Sequence, residues 1–369
     1  MALTVYLDTQ DYINIFNEPN GGANRAILER LMQQRDQGKL VIGFSFATIV
    51  ELITRPNAEN RAERVRRGEL IKDICGSNAF PYPTDLAKGA TFPNAGRWMF
   101  PKDSKVISAS SFRKEMHAAL QAEVANAEGL NRAQRRTLGR KSSMQDLIRR
   151  SGSSWGRKRS DYGRIPVSDE IIQSRIIERF MKGQCSDLEF ETRLGAWLSD
   201  PAEYSKIIYD YADKPNIIEE FFGKPTSQIE NAVEKIQGII AEQKQLNDEI
   251  LKARKNLREL GLDSRTARNL TKQVELPEAD FQSVVKKLEP LFGKGRAGHF
   301  VHYIRHAMNT EYRFKRSDVM DLFQICYAYD CDLFRCDKAM GNIFRDFEPF
   351  EGKLVSRFRD LPDRVEELS

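Results

Sequence analysis

Two regions at opposite ends of the chain show the alternation of strand and helix that most constrains its fold. Residues 3–7 (LTVYL) and 39–45 (KLVIGFS) are apolar and β-prone, and a helical pattern follows each of them. Residues 332–336 (DLFRC) and 352–356 (GKLVS) are two further short strand patterns. Strands that alternate with helices predict a parallel sheet. Since neither end alone can close a sheet, we expect both ends to form one discontinuous α/β domain.

The segment between these ends predicts an all-α insertion. We assign residues 1–75 and 310–369 to the α/β domain, with a central parallel sheet flanked by helices, and residues 76–309 to the insertion. The insertion opens with a stretch that contains Pro and Gly and has no sustained periodicity, and it then continues with amphipathic helical patterns. Its two distinctive parts are a basic loop at 129–164 and a long helix at 227–260.

The long helix has the pattern of a short coiled coil. Ser227 and Glu230 predict a capping box at its start, and Gly261 predicts its end. Apolar residues with four-three spacing form a seam that polar residues interrupt, and only about four heptads are present. The seam is compatible with packing inside the chain, and also with a homodimer or a partner protein bound through this helix.

Composition excludes several classes of protein. The chain of 369 residues has no run of about 18 apolar residues, and its first residues lack the pattern of an export signal, so we expect a globular cytoplasmic protein without a membrane role. Five cysteines without a CxxC pair predict reduced thiols. No phosphate-binding loop, dinucleotide fingerprint or nucleophile elbow is present, which argues against an ATPase, a dehydrogenase or an α/β-hydrolase.

Residues 129–164 contain eleven Lys and Arg residues and only two acidic ones, although the net charge of the whole chain is only +5. Such an excess, together with Trp155 and Tyr162, predicts binding to a nucleic-acid backbone with stacking on bases. A solvated loop is the alternative. The candidate binding residues in this stretch are Arg135, Arg136, Arg140, Lys141, Arg149, Arg150, Arg157, Lys158 and Arg159.

Carboxylates occur at corresponding positions of the two terminal regions. Asp8 follows the first predicted strand, Glu51 lies on the helix after the second, and Asp337 follows the third. Asp318 and Asp321 are three residues apart and therefore project from one face of a helix. Parallel α/β sheets bind ligands at the carboxyl edge, so we expect these acids to converge there. The alternative is that they are solvated or structural, with Asp318 stabilising a helix N-terminus beside Ser317.

The acids and their surroundings resemble the PIN domain, a metal-dependent nuclease fold. The matching segments are VYLDTQDYI, FSFATIVEL, RSDVMDLF and LFRCDKAM, all within the terminal regions. The resemblance implies that Asp8, Glu51, Asp318, Asp321 and Asp337 are catalytic, and that cleavage leaves a 5′-phosphate and a 3′-hydroxyl. Cys336 departs from the family, in which Ser or Thr usually precedes the last Asp. The direct metal ligand on the helix stays open between Asp318 and Asp321.

Carboxylates crowded at one edge repel each other unless a cation lies between them. Their hard oxygen atoms suit Mg²⁺ or Mn²⁺, with Asp8, Glu51, Asp321 and Asp337 as ligands. Such an ion lowers the pKa of a bound water and stabilises the leaving oxygen of a phosphodiester. Arg316 and Lys338 are candidates for contact with the nucleic acid, although Lys338 could instead pair with an acid.

We therefore predict a metal-dependent endoribonuclease, with RNA favoured over DNA through the resemblance alone, and a role as a toxin or an antiviral effector is compatible with it. One alternative is a catalytically inactive PIN-like module that binds nucleic acid or a partner protein. Another is an assembly protein built around the long helix. His299, His302 and His306 share a helical face and suggest three possibilities, a zinc site, ordinary packed or surface histidines, or phosphate contact.

Overall fold

The fold is known from a computed structural model. It describes residues 2–19, 21–53, 61–86, 89–93, 108–126, 129, 131–138, 167–210, 225–272, 286, 289, 296–309 and 316–369.

A four-stranded parallel sheet joins the two ends of the chain. Its strands are β1 (Leu3–Tyr6), β2 (Leu40–Gly43), β3 (Leu333–Arg335) and β4 (Leu354–Val355), in the order β2-β1-β3-β4. Strand β1 lies in the middle, with its Val5 opposite Ile42 of β2 on one side and Leu333 of β3 on the other. The prediction that both ends contribute to one parallel sheet is thus confirmed.

The sheet continues at its β2 edge beyond Cys75. Phe44 and Ala79 form an isolated parallel bridge, in which the Phe80 amide donates to the Phe44 carbonyl at 2.8 Å. Residues after the predicted domain boundary therefore pair with the edge of the α/β core.

Five helices follow in the N-terminal part of the chain. They are α1 (Thr9–Asn17), α2 (Ala23–Asp36), α3 (Phe46–Ile53), α4 (Arg61–Cys75) and α5 (Pro83–Leu86). Ser45 lies directly before α3, and its hydroxyl accepts from the Thr48 amide at 3.4 Å. This contact favours Ser45 as the cap of that helix.

Every regular element described between residues 83 and 309 is a helix. Beyond α5 these are α6 (Ala109–Asn126), α7 (Arg132–Leu138), α8 (Asp169–Gln173), α9 (Ile176–Met181), α10 (Asp187–Leu198), α11 (Pro201–Asp210), α12 (Pro225–Glu259), α13 (Ser264–Lys272) and α14 (Gly298–Asn309). The long helix α12 begins at Pro225, two residues before the predicted cap, so the capping box at Ser227 is wrong. Proline is favoured in the first turn because it has no amide hydrogen to satisfy.

The C-terminal part carries the remaining elements. Helix α15 (Arg316–Ile325) leads through a 3₁₀ turn (Cys326–Tyr329) into β3, and α16 (Lys338–Ile343) follows that strand. After β4, a second 3₁₀ turn (Phe358–Asp360) precedes α17 (Leu361–Leu368). Another 3₁₀ turn lies at Glu348–Phe350.

One hydrophobic core connects the sheet with the helices of the middle segment. Tyr6 lies at its centre, fully buried, and its ring stacks on Phe334 with centroids 4.8 Å apart. Helix α4 packs closely on α11, where a Cβ atom added at Gly68 would lie 2.7 Å from the Pro201 carbonyl oxygen. Helices α5, α6, α8 to α11 and α14 of the middle segment therefore share apolar packing with the α/β part.

All five cysteines are buried and none forms a disulfide. Among the described residues, no helix combines the length and apolar character needed to cross a membrane.

Candidate active site

Two of the predicted acids lie at the carboxyl ends of neighbouring strands. Asp8 follows β1 and caps α1, since its Oδ1 accepts from the Gln10 amide at 2.9 Å. Asp337 follows β3 and caps α16 in the same way, with its Oδ1 2.7 Å from the Met340 amide nitrogen. Because β1 and β3 are parallel neighbours, their ends bring both carboxylates to one edge of the sheet.

Helices bring two further acids to this edge. Asp321 lies on α15 and Glu51 on α3, and Gln324 lies one turn after Asp321. The Gln324 amide nitrogen donates to Glu51 Oε2 at 2.6 Å and to Thr9 Oγ1 at 2.7 Å. This buried side chain ties α15 to α3 and to the first residue of α1, and so limits how Glu51 can move.

A small pocket lies between these elements. The polar groups that line it come from Asp8, Asp321, Gln324, Arg335 and Asp337. Ile325, Phe334, Cys336 and Met340 supply its apolar wall. The pocket thus has carboxylates on several sides and a low-dielectric wall, which strengthens the electrostatic interactions inside it.

Charge crowding is greatest at Asp321. Burial, together with the charges of Glu51, Asp337, Asp8 and Asp318, raises the pKa of this carboxyl to about 8. Burial also raises the pKa of Asp8, and the Asp337 charge adds to the effect, while the Gln10 amide and Arg335 oppose it. The charges of five carboxylates therefore interact across this edge.

Asp318 has different surroundings from Asp321. It is 4% exposed, and its Oδ2 accepts from the Tyr303 hydroxyl of α14 at 2.7 Å. Neither Asp318 nor Glu51 is among the residues that line the pocket, whereas Asp321 is. The structure thus places Asp321 in the pocket and Asp318 against α14.

A buried ion pair beside the acids was not predicted from the sequence. Asp11 is 1% exposed, and its Oδ1 lies 3.1 Å from Nη2 of Arg335. Burial raises the pKa of Asp11 to about 7, against the lowering effect of Arg335. Asp11 Oδ2 has no hydrogen-bond partner. The spacing of Asp8 and Asp11, which repeats that of Asp318 and Asp321, was a signal for this residue.

The Cys336 thiol, directly before Asp337, is buried. Burial, together with the charges of Asp8 and Asp337, raises the pKa of Cys336 to about 12. The thiol therefore stays protonated at neutral pH. It is only a weak hydrogen-bond donor to the acids around it.

The donor set consists of carboxylates, which suits Mg²⁺ or Mn²⁺ better than a soft metal. Within the described residues, however, no group of three or more His, Cys, Asp or Glu side chains is already gathered as a ligand set. The charges of the other acids raise the pKa of Asp321, but this effect acts over longer distances than metal ligation requires. The chemistry of the donors therefore fits the ion, and binding requires adjustment of side-chain positions.

Few of the predicted nucleic-acid contacts can be located. Lys338 is exposed at the first position of α16, next to Asp337. Arg135 and Arg136 are exposed on α7, and Arg316 is the first residue of α15. The other predicted binding residues lie outside the described residues, and they are Arg140, Lys141, Arg149, Arg150, Arg157, Lys158 and Arg159.

Two of the three histidines of α14 are packed against neighbouring elements. His299 is fully buried, its Nε2 donates to the Leu322 carbonyl at 3.2 Å, and burial lowers its pKa to about 3. His302 donates to the Ile343 carbonyl at 2.7 Å and stacks near Phe344. The structure therefore favours the packed-histidine interpretation for these two residues.

The chain was also compared with known proteins. No protein-family model, curated protein or solved structure matches it.

Proposed function

We propose that the protein is a metal-dependent PIN-like nuclease, and specifically an endoribonuclease. The observation that carries the proposal is the crowding of carboxylates around Asp321, whose pKa is raised by burial and by four other acids. Carboxylates crowded in this way repel each other and lower the stability of the fold. Groups with such perturbed pKa values cluster at functional sites.

The arrangement of the chain supports the PIN-like assignment. Acids from four separate segments, in the order in which the family has them, meet at the carboxyl edge of a parallel sheet built from both ends of the chain. The choice of RNA over DNA rests on the family resemblance, as does a role as a toxin or an antiviral effector. The five unpaired cysteines support a reducing compartment such as the cytoplasm.

Asp8, Glu51, Asp321 and Asp337 would hold the ion. When bound, Mg²⁺ or Mn²⁺ supplies an activated water and charge stabilisation for phosphodiester hydrolysis. Three features of the chain itself support this role. Gln324 holds Glu51 in position, the exposed ammonium of Lys338 is available to the substrate phosphate, and the apolar wall of the pocket keeps the local dielectric low.

A catalytically inactive module that binds nucleic acid or a partner protein is the second candidate. It is favoured by one observation, that no three potential ligands among the described residues are already gathered around a common point. In such a module the carboxylates would have no catalytic role, and binding would depend on basic surfaces elsewhere on the chain.

Cleavage of labelled substrates by the full chain tests the proposal. Total RNA, tRNA and single-stranded DNA are incubated with the protein in EDTA, Mg²⁺ or Mn²⁺. We expect endonucleolytic cleavage of RNA with either metal and none in EDTA, and we expect Asp8→Asn and Asp321→Asn to abolish it. Asp346→Asn is the matched control, because this carboxylate is exposed and does not line the pocket.

Two results would contradict the proposal. Cleavage that survives both site substitutions would place the reaction elsewhere or reveal a contaminant. RNA binding without cleavage in any metal would favour the inactive module.

A further inference from the structure

A second basic region lies outside the residues that the sequence pattern singled out. Residues 251–272, here called the basic hairpin, comprise the last part of α12, a turn and α13. They contain seven basic residues and two acidic ones, whereas the whole chain has nearly equal numbers. Among the basic side chains, five are exposed, and they are Lys252, Lys255, Arg258, Arg265 and Arg268.

The two acids of the basic hairpin are already engaged. Asp263 accepts from the amides of Arg265 at 2.9 Å and Thr266 at 3.0 Å, and thereby caps α13. Glu259 lies 3.8 Å from the ammonium of Lys255. A carboxylate at a helix N-terminus interacts favourably with the helix dipole. With both acids counted, the basic hairpin keeps a net excess of five positive charges.

Internal contacts hold the basic hairpin in one shape. Arg254 Nε donates to Thr271 Oγ1 at 2.7 Å, which joins α12 to α13, and Ala267 is 1% exposed. Gly261 has φ of +87°, a conformation that lets the chain turn sharply between the helices. The exposed cations therefore project from a folded support.

The basic hairpin is connected to the candidate active site through α12. This helix packs against α14 and α15, and α15 carries Asp318 and Asp321. The basic hairpin thus belongs to a helix that also contacts the element bearing two of the acids, and its cations attract a polyanion that the acids alone would repel.

We infer that the basic hairpin binds the phosphate backbone of the RNA substrate. The inference rests on the proposed function and extends it by naming a substrate-binding surface. Lys252, Lys255 and Arg258 are spaced by three residues along α12, so about 9 Å of helix axis and roughly a third of its circumference carry all three cations. This arrangement suits a backbone with repeated charges better than a single small anion, and it implies affinity without sequence preference.

An anionic membrane is the competing partner, because Leu251 and Leu260 are exposed by 58% and 78% near these cations. RNA is favoured because the exposed surface of the basic hairpin carries five cations against three exposed leucines, Leu251, Leu260 and Leu270. The membrane is therefore one outcome of the test.

The test measures binding of a fluorescent single-stranded RNA to the full chain in EDTA, so that cleavage cannot occur. A triple variant, Lys252→Gln with Lys255→Gln and Arg258→Gln, is compared with the wild type over a range of salt concentrations. We expect affinity to fall about tenfold or more, and the slope of log K against log salt to fall by about 0.7 for each lost phosphate contact. A double variant, Arg265→Gln with Arg268→Gln, tests α13 by the same measure.

The matched control neutralises three exposed cations on other elements, Lys114→Gln with Arg193→Gln and Arg345→Gln. We expect this control to keep its affinity, and circular dichroism with thermal unfolding to be unchanged in all variants. Three results would overturn the inference. They are an equal loss of affinity in the control, unchanged binding in the triple and double variants, and binding to phosphatidylserine vesicles in place of RNA. RNA binding that depends on the basic hairpin without any cleavage would leave the inference standing and reject the nuclease. Metal-dependent cleavage with binding that ignores the basic hairpin would do the reverse.

Discussion

Replacing Asp321 by Asn should stabilise the protein when no divalent ion is present. The carboxyl has an ordinary pKa of 3.8, which burial and four neighbouring acids raise to about 8 in the folded state. Asn has nearly the same shape and cannot ionise. The substitution thus removes the ionisation that the folded state resists and leaves the packing of α15 almost unchanged.

The magnitude follows from proton linkage. Because the folded-state pKa lies above the unfolded-state value, the folded protein binds more protons between these two values, and the free energy of unfolding falls as the pH rises from about 4 to about 8. Each pKa unit corresponds to about 1.4 kcal/mol, so by pH 7 Asp321 destabilises the folded state by about 4 kcal/mol relative to pH 4. Asp321→Asn should recover this amount.

Urea denaturation in EDTA, at intervals from pH 4.5 to pH 8.5, measures the effect. We expect wild type and variant to have similar stability at the acidic end and to diverge as the pH rises, with the variant more stable by about 4 kcal/mol near pH 7. Added Mn²⁺ should stabilise the wild type and have little effect on the variant, because ligand binding stabilises only the state that binds it.

Asp346→Asn is the control for this measurement, since its carboxylate is exposed. Its pH profile should follow that of the wild type. Parallel profiles for wild type and Asp321→Asn, or a variant less stable at pH 8 than the wild type, would refute the claim that the acids crowd around Asp321.

Three further predictions concern the groups around the site. Gln324→Leu should remove the amide that donates to the Glu51 carboxylate. We expect metal-dependent cleavage to fall at least tenfold and the free energy of unfolding to fall by about 1 to 3 kcal/mol. Unchanged activity would show that this contact does not matter. Arg335→Met should destabilise the protein by about 3 to 5 kcal/mol in urea denaturation, because Asp11 loses its buried partner. The double variant Asp11→Asn with Arg335→Met should recover part of this loss. Additive losses would contradict the pairing. His299 should remain uncharged down to about pH 4, so its ring resonances in histidine-selective NMR should not titrate between pH 7 and pH 5, and a midpoint near 6.5 would refute its burial.

The strands were the most predictable part of the fold. All four lie inside the apolar runs that predicted them, because a buried parallel strand needs consecutive apolar residues. Strand β1 pairs with both β2 and β3 because neither end of the chain has enough strands to bury its own short β region. The register, with Val5 opposite Leu333, depends on tertiary packing and has no signal in the local pattern.

One helical detail shows where a local pattern fails. The pattern over 169–182 suggests one helix, but the chain breaks it at Arg175, which has φ of +59°. The Ser174 hydroxyl bonds to the Ile171 carbonyl at 2.6 Å, and such side-chain bonds compete with the helical ladder. Arg175 in turn pairs with the nearly buried Glu178 three residues later.

The site itself was predictable in its acids and less so in its supporting residues. Asp8 and Asp337 follow strands, and that position alone brings them to the carboxyl edge. Gln324 shares a helical face with Asp318 and Asp321, so its spacing was available as a signal. The role of Arg335 was not, because its pairing with Asp11 depends on the twist and neighbour order of β1 and β3.

The most direct measurement of the central claim is anomalous X-ray diffraction from crystals grown with Mn²⁺. We predict an anomalous peak at the carboxyl edge of the sheet, bounded by Asp8, Asp321 and Asp337, and its loss in crystals of Asp321→Asn. A saturating Mn²⁺ concentration that gives no peak between these carboxylates, or a peak only elsewhere on the chain, would contradict the claim that they share a divalent ion.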